Sequence, residues 1–125
     1  MTEWLAASDR TGLDRVFLAA PSSTDARLEQ AVRASRGFVY AVSTMGITGA
    51  RADVDAAARG VVARLRAAGA TSTCVGVGIS TADQVREVIS YADGAIVGSA
   101  LVSALADGGV DAVARTAASL ATGLK

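Results

Sequence analysis

Histidine is absent from these 125 residues. That excludes Ser-His and Cys-His nucleophile pairs and the common zinc and iron sites, and leaves acid–base chemistry to carboxylates, Tyr, Lys or Cys. Cysteine occurs once, as Cys74 inside an apolar run, so no disulfide can form within the chain. Cys74 reads as a small core residue, the alternative being a reactive thiol. Charge of either sign is not in excess: twelve basic residues balance twelve acidic ones. No long-range field draws the chain to nucleic acid or an anionic membrane, and no Lys/Arg cluster supplies a local one. No apolar run approaches the roughly 20 residues of a membrane span. Met1-Thr2-Glu3-Trp4 has no basic region followed by an apolar one, so no signal peptide is expected and the cytoplasm is the expected location. Nothing in the sequence calls for a metal or an organic cofactor.

What is present is a repeated unit. Val75-Gly-Val-Gly-Ile-Ser80 and Ala95-Ile-Val-Gly-Ser-Ala100 are short β-branched runs ending in Gly and Ser, each followed by a helical pattern. A strand that hands over to a helix N-terminus at glycine gathers unpaired backbone N–H groups and a small hydroxyl, and two such points side by side make an anion site.

Taken in order, Glu3 to Thr11 reads as a helix stopped by Gly12, with Trp4, Leu5 and Ser8 on one face. Strands are expected at Asp14–Ala20, Gly37–Ser43, Thr73–Val77 and Gly94–Val97. Helices are expected over Asp25–Ser35, Asp53–Ala68, from Ser80 (as N-cap, with Asp83 three residues on) to Ser90, Ser99–Ala106 and Val110–Ala121. Thr44–Ala52 is a longer loop, and Asp107-Gly108-Gly109 breaks the last two helices apart. The inward positions of the last helix are Val113, Ala117 and Leu120.

Strands separated by helices cannot form hairpins, so they are parallel with right-handed crossovers, and near-continuous apolar strands imply cover on both faces. The chain is expected to be one domain over residues 1–125, either an open sheet of flavodoxin type or part of a (βα)8 barrel. Glycines and small polar residues follow three strands at the same sheet end, which favours the barrel.

Gly37-Phe-Val-Tyr-Ala-Val-Ser-Thr-Met-Gly-Ile-Thr-Gly-Ala-Arg51, Val75–Ser80, Ala92-Asp-Gly-Ala-Ile-Val-Gly-Ser-Ala100 and Val16-Phe-Leu-Ala-Ala-Pro-Ser-Ser-Thr24 together resemble the tryptophan synthase α subunit family. That family is a (βα)8 TIM barrel of roughly twice this length. The resemblance implies that this chain is its second half, the helix before strand five and then strands five to eight. The family cleaves indole-3-glycerol phosphate to indole and glyceraldehyde 3-phosphate in tryptophan biosynthesis, a lyase reaction. Its two catalytic carboxylates, a Glu on the second strand and an Asp in the loop after it, lie in the first half and have no counterpart here, so this chain alone is expected to be inactive.

The residues agree. The twelve carboxylates fall in helix patterns, in caps or at the N-terminal ends of strands, away from the phosphate loops.

The resemblance implies phosphate binding by Gly49, Gly78, Gly98 and Ser99. Glycine lets backbone N–H groups approach the phosphate, and Ser99 adds a hydroxyl. The alternative is turn glycines with Ser99 as an ordinary N-cap. Tyr40 corresponds to a tyrosine facing the substrate, and alternation puts it on one strand face with Phe38 and Val42; a barrel-layer core residue is the other reading. Thr48 corresponds to a threonine of the mobile loop whose partner, the catalytic Asp, is missing here. Val77 stands where some relatives carry an aromatic.

Half a barrel leaves two unpaired edges and an apolar concave face. The expected remedy is a homodimer or higher oligomer that restores eight strands, with the first helix displaced, swapped or frayed because it and the last helix would compete for one seam. Phosphate or indole-3-glycerol phosphate is expected to bind weakly. The resemblance brings in a pyridoxal phosphate-containing tryptophan synthase β subunit as partner of the intact family protein, with weak or no binding expected here. Neither nucleic acid nor membrane is an expected partner.

Overall fold

The computed structural model describes residues 1–42, 51–76 and 78–125. Thr48, Gly49 and Val77 lie outside the described residues. The elements are α1 (Thr2–Thr11), β1 (Leu18–Ala19), α2 (Asp25–Ala34), β2 (Val39–Val42), α3 (Arg51–Ala67), β3 (Thr73–Gly76), α4 (Ala82–Ile89), β4 (Gly94–Ala95) and α5 (Ser99–Ala121), followed by a 3-10 turn at Thr122–Leu124. All three strand pairings are parallel and the sheet order is β1-β2-β3-β4. A sequential order has no topological switch point, which separates the barrel-type arrangement from the open flavodoxin sheet.

Register divides the sheet into two faces. Ala19, Ala41, Val75 and Ala95 stand in line across the four strands and face the helices. Leu28 of α2, Val61, Val62 and Leu65 of α3, and Val85 and Val88 of α4 cover that side and form the core with them. The strands contribute alanines where the helices press closest, and the helices contribute the bulk. Each fully buried Leu or Val contributes roughly 1.5–3 kcal/mol.

The other face is Leu18, Tyr40, Cys74 and Gly94, again in line. Among the described residues nothing closes over it at the β1 edge, where Leu18 is 66% exposed and Val16, two residues before it, 43% exposed. The expectation that both faces of the strands are covered is therefore corrected: among the described residues only the helix side is covered. The described residues include no helix long and apolar enough to cross a membrane.

α1 ends as its glycine dictates. Gly12 has φ +71°, and Leu13 N–H returns to the Ser8 carbonyl at 3.0 Å. The helix is then tied down by Arg15, which is only 7% exposed. Its Nε donates to the Ala34 carbonyl at 3.0 Å, and its Nη1 donates to Ser8 Oγ at 2.9 Å, to the Leu5 carbonyl at 3.3 Å and to the Asp9 carboxylate. In the single chain α1 is continuous and fastened to the end of α2; the displacement, swapping or fraying expected of it belongs to the seam of an assembled dimer.

α5 also differs in detail. It is interrupted at Gly109 (φ +72°, ψ −164°), as the glycine pair implies, but Ala117 is exposed rather than inward. Leu120 alone on that helix is fully buried. The 3-10 turn seats Gly123 so tightly on α4 that a Cβ there would lie 2.3 Å from the Ala82 carbonyl oxygen.

At the N-terminal ends of β3 and β4, Asp93 Oδ2 accepts from Thr73 N–H at 2.8 Å and Thr73 Oγ1 at 3.2 Å, with Arg66 at 3.6 Å. The Thr73 backbone bond foremost, aided by its hydroxyl and by Arg66, holds the Asp93 carboxyl below its usual range against an opposing desolvation effect. A depressed folded pKa stabilises the fold above the unfolded value of about 3.9, and that stabilisation is lost as pH falls through the folded value. Denaturation midpoints measured from pH 6 downward should therefore fall less steeply with acid in Asp93→Asn than in the parent chain. Parallel slopes would remove Asp93 from the acid response.

Candidate functional site

At the C-terminal end of the sheet lies a cavity of about 270 Å³. β2 contributes Tyr40 to it and β3 contributes Gly76. The turn after β3 contributes Gly78 and Ser80. The segment after β4 brings Ile96 and Gly98, and α5 brings Ser99 and Ser103. Four of the six site residues expected from sequence, Tyr40, Gly78, Gly98 and Ser99, thus line one cavity. The other two, Thr48 and Gly49, fall outside the described residues.

Local chemistry explains each position. Gly78 has φ +66°, which side chains tolerate poorly, and this lets the chain turn back over the cavity. Gly98 is the N-cap of α5 and offers no side-chain cap. Its carbonyl takes the Leu101 and Val102 N–H groups at 3.0 and 3.1 Å. The amides of Ser99 and Ala100 precede any intrahelical acceptor, so the positive end of α5 opens on the cavity.

α4 behaves differently. Its N-cap is Thr81, not Ser80, and the box partner is Gln84, not Asp83. Gln84 N–H donates to Thr81 Oγ1 at 3.2 Å, while Gln84 Oε1 accepts from Thr81 N–H at 3.3 Å and from Ser80 N–H at 2.8 Å. Asp83 instead pairs with Arg86 at 2.6 Å. Of the two helix starts beside the cavity, that of α4 carries a side-chain cap and that of α5 carries none. No Lys, Arg, Asp or Glu lines the cavity among the described residues. What the described residues offer a ligand there is N–H dipoles and hydroxyls.

Tyr40 owes its place to Gly76. A Cβ at Gly76 would lie 2.2 Å from Tyr40 Oη and 2.6 Å from Cζ. Gly76→Ala should swing the ring off β3 at a cost of about 1–3 kcal/mol, read as a large change in the Tyr40 ring resonances. Unchanged ring shifts would contradict this packing. The same face explains Cys74, whose Sγ would be 2.7 Å from a Cβ at Gly94. Burial, then the Asp93 charge, pushes the Cys74 thiol up, away from the reactive thiolate.

Sequence reasoning named Ser80 only as the end of the Gly-Ser run and did not place Gly76, Ile96 or Ser103 in the site. Ser103 could have been found, since it lies four residues beyond Ser99 and so on the same face of a helix.

The parallel sequential sheet, helices on one side and a glycine-lined cavity at the strands' C-terminal end define half of a (βα)8 barrel. Comparison with known proteins makes this specific. The tryptophan synthase alpha chain family model matches residues 2–123, and the chain belongs to that family. It is 74% identical over 121 residues to the tryptophan synthase alpha chain of Leifsonia xyli subsp. xyli, covering 97% of this chain and 46% of that one. To the alpha chain of Mycobacterium avium it is 54% identical over 123 residues, covering 98% and 45%.

Among solved structures, it superposes on tryptophan synthase from M. tuberculosis with a TM-score of 0.81 at 50% identity, covering 97% of this chain and 46% of that one. A mutant tryptophan synthase alpha-subunit from Pyrococcus furiosus gives a TM-score of 0.78 at 30% identity, covering 97% and 50%. The chain spans about half the length of the relatives it matches.

Proposed function

We propose that this chain is the phosphate-gripping half of a tryptophan synthase alpha barrel. The observation that carries the reading is the convergence of Tyr40, Gly78, Gly98 and Ser99 on one cavity at the uncapped start of α5. In the complete barrel the reaction is cleavage of indole-3-glycerol phosphate to indole and glyceraldehyde 3-phosphate. This half holds the phosphate, a grip to which Gly49 also belongs, while Tyr40 and Thr48 belong to the pocket for the rest of the substrate. The catalytic carboxylates belong to the other half, so the chain alone binds phosphate weakly and performs no cleavage. Binding to the pyridoxal phosphate-containing β subunit is weak or absent without that half.

Calorimetric titration with inorganic phosphate and glycerol phosphate, beside an assay for indole release, tests this. Saturable binding of both anions without indole release is expected. Absence of binding would overturn the reading, and indole release by the chain alone would overturn its catalytic half.

A second reading concerns assembly, and the exposed apolar face of Val16 and Leu18 favours it. The isolated chain covers this face with a second copy. With α1 fastened and α5 intact, closure into a ring of eight strands would require one of them to leave its place. Light scattering should give a dimer or larger species; a monomer would contradict self-association.

A further inference from the structure

We propose that Gln84 is a positioning residue for the anion site, a role that rests on the phosphate reading above. Gln84 does not line the cavity. It acts through the turn that does, because its Oε1 gathers Ser80 N–H at 2.8 Å, Thr81 N–H at 3.3 Å and Ser80 Oγ at 3.4 Å. Three donors of the Gly78–Thr81 turn thus converge on one amide oxygen, and Thr81 Oγ1 returns the bond by accepting Gln84 N–H. The turn contains Gly78 in the left-handed region, the conformation that brings its backbone to the cavity.

Two consequences follow from the chemistry of the amide. First, the amides of Ser80 and Thr81, just before α4, are already satisfied, so they do not compete with the Ser99 and Ala100 amides of α5 for the ligand. Second, the cap is neutral. Glu fills the third position of a capping box as well as Gln does, but a carboxylate there would set a negative charge beside a site that has no cationic side chain among the described residues to offset it. Gln84 gives the turn its rigidity without the charge.

The test is titration of the full chain and its Gln84→Ala and Gln84→Glu variants with inorganic phosphate, together with hydrogen exchange at Ser80 and Thr81. Gln84→Ala should deprotect both amides and weaken phosphate binding about fivefold. Gln84→Glu should keep both amides protected and the fold intact, yet weaken phosphate binding about tenfold at low salt. A purely structural cap predicts wild-type affinity in Gln84→Glu, and that result would overturn the proposal even if Gln84→Ala failed to fold. Wild-type affinity in both variants would overturn it equally, leaving the phosphate reading in place. Failure of the parent chain to bind phosphate would overturn that reading, and this inference with it.

Discussion

Replacing Leu65 by alanine should lower the unfolding free energy by about 3 kcal/mol. Leu65 is 0% exposed and sits on the inward face of α3, which packs on β2 and β3 at the centre of the sheet. The core cluster it belongs to is mostly small or β-branched, with Ala41 and Val75 from the strands and Val61 and Val62 from its own helix. Alanine and valine cannot extend to fill a vacated leucine volume, so a cavity remains and its cost adds to the lost transfer energy. A domain of this size has about 5–15 kcal/mol in total, and one with an uncovered apolar face belongs at the lower end. Urea denaturation should show a markedly lower midpoint at unchanged slope. A midpoint loss worth under about 1 kcal/mol would mean that the sheet–helix interface is looser than described.

The second large effect is expected at the other end of the molecule. Arg15→Ala removes the guanidinium that joins α1, the segment before β1 and the end of α2, leaving the Ala34 carbonyl and the fully buried Ser8 hydroxyl without their donor. Leaving buried acceptors unpaired costs about 1–3 kcal/mol each. Asp9 is better exposed and can return to water, which moderates the loss. Few other contacts hold α1: Trp4 is half exposed, and Ser8 is the one residue of the helix that is fully buried. The expected outcome is release of the helix, with a total cost of about 2–4 kcal/mol. Hydrogen exchange should show α1 amides unprotected while α3 amides stay protected, and Trp4 fluorescence should become that of a mobile indole. Retained protection in α1 would show that its apolar side, not Arg15, fastens it. Arg15→Lys should rescue only in part, because one ammonium cannot reach acceptors on both sides as the planar fork does.

The element order was legible because each helix and strand carries its own period and stop. Gly12, Gly69 and Gly109 all adopt positive φ where the chain turns or kinks. What was not legible depended on partners distant in sequence. Asp14–Ala20 reads as seven residues of strand, yet the ladder is confined to Leu18–Ala19. Phe17 N–H is taken by the Ser35 hydroxyl and the Arg15 carbonyl by Arg36 N–H, so the segment is satisfied outside the ladder.

The α4 cap was misplaced by one residue for a related reason. Ser80 with Asp83 and Thr81 with Gln84 are equally good boxes on paper. The longer Gln84 side chain settles the register by reaching two backbone amides at once. Apolar strands were read as covered on both faces, but composition records which face is apolar, not whether this chain supplies the cover.

The site was legible to the extent that glycine and serine announce it. Gly78, Gly98 and Ser99 follow their strands directly. Gly76 was hidden because its role is to leave room for Tyr40, a residue 36 positions earlier that only the β2–β3 register brings alongside.

The central claim, that the open end of α5 grips phosphate, is tested most directly by amide chemical shifts during titration of the chain with inorganic phosphate. The account predicts saturable shifts at Gly78, Gly98, Ser99 and Ala100, with Ser80 and Thr81, already bonded to Gln84, moving less. Saturable shifts confined to other surfaces, or none at all, would contradict it.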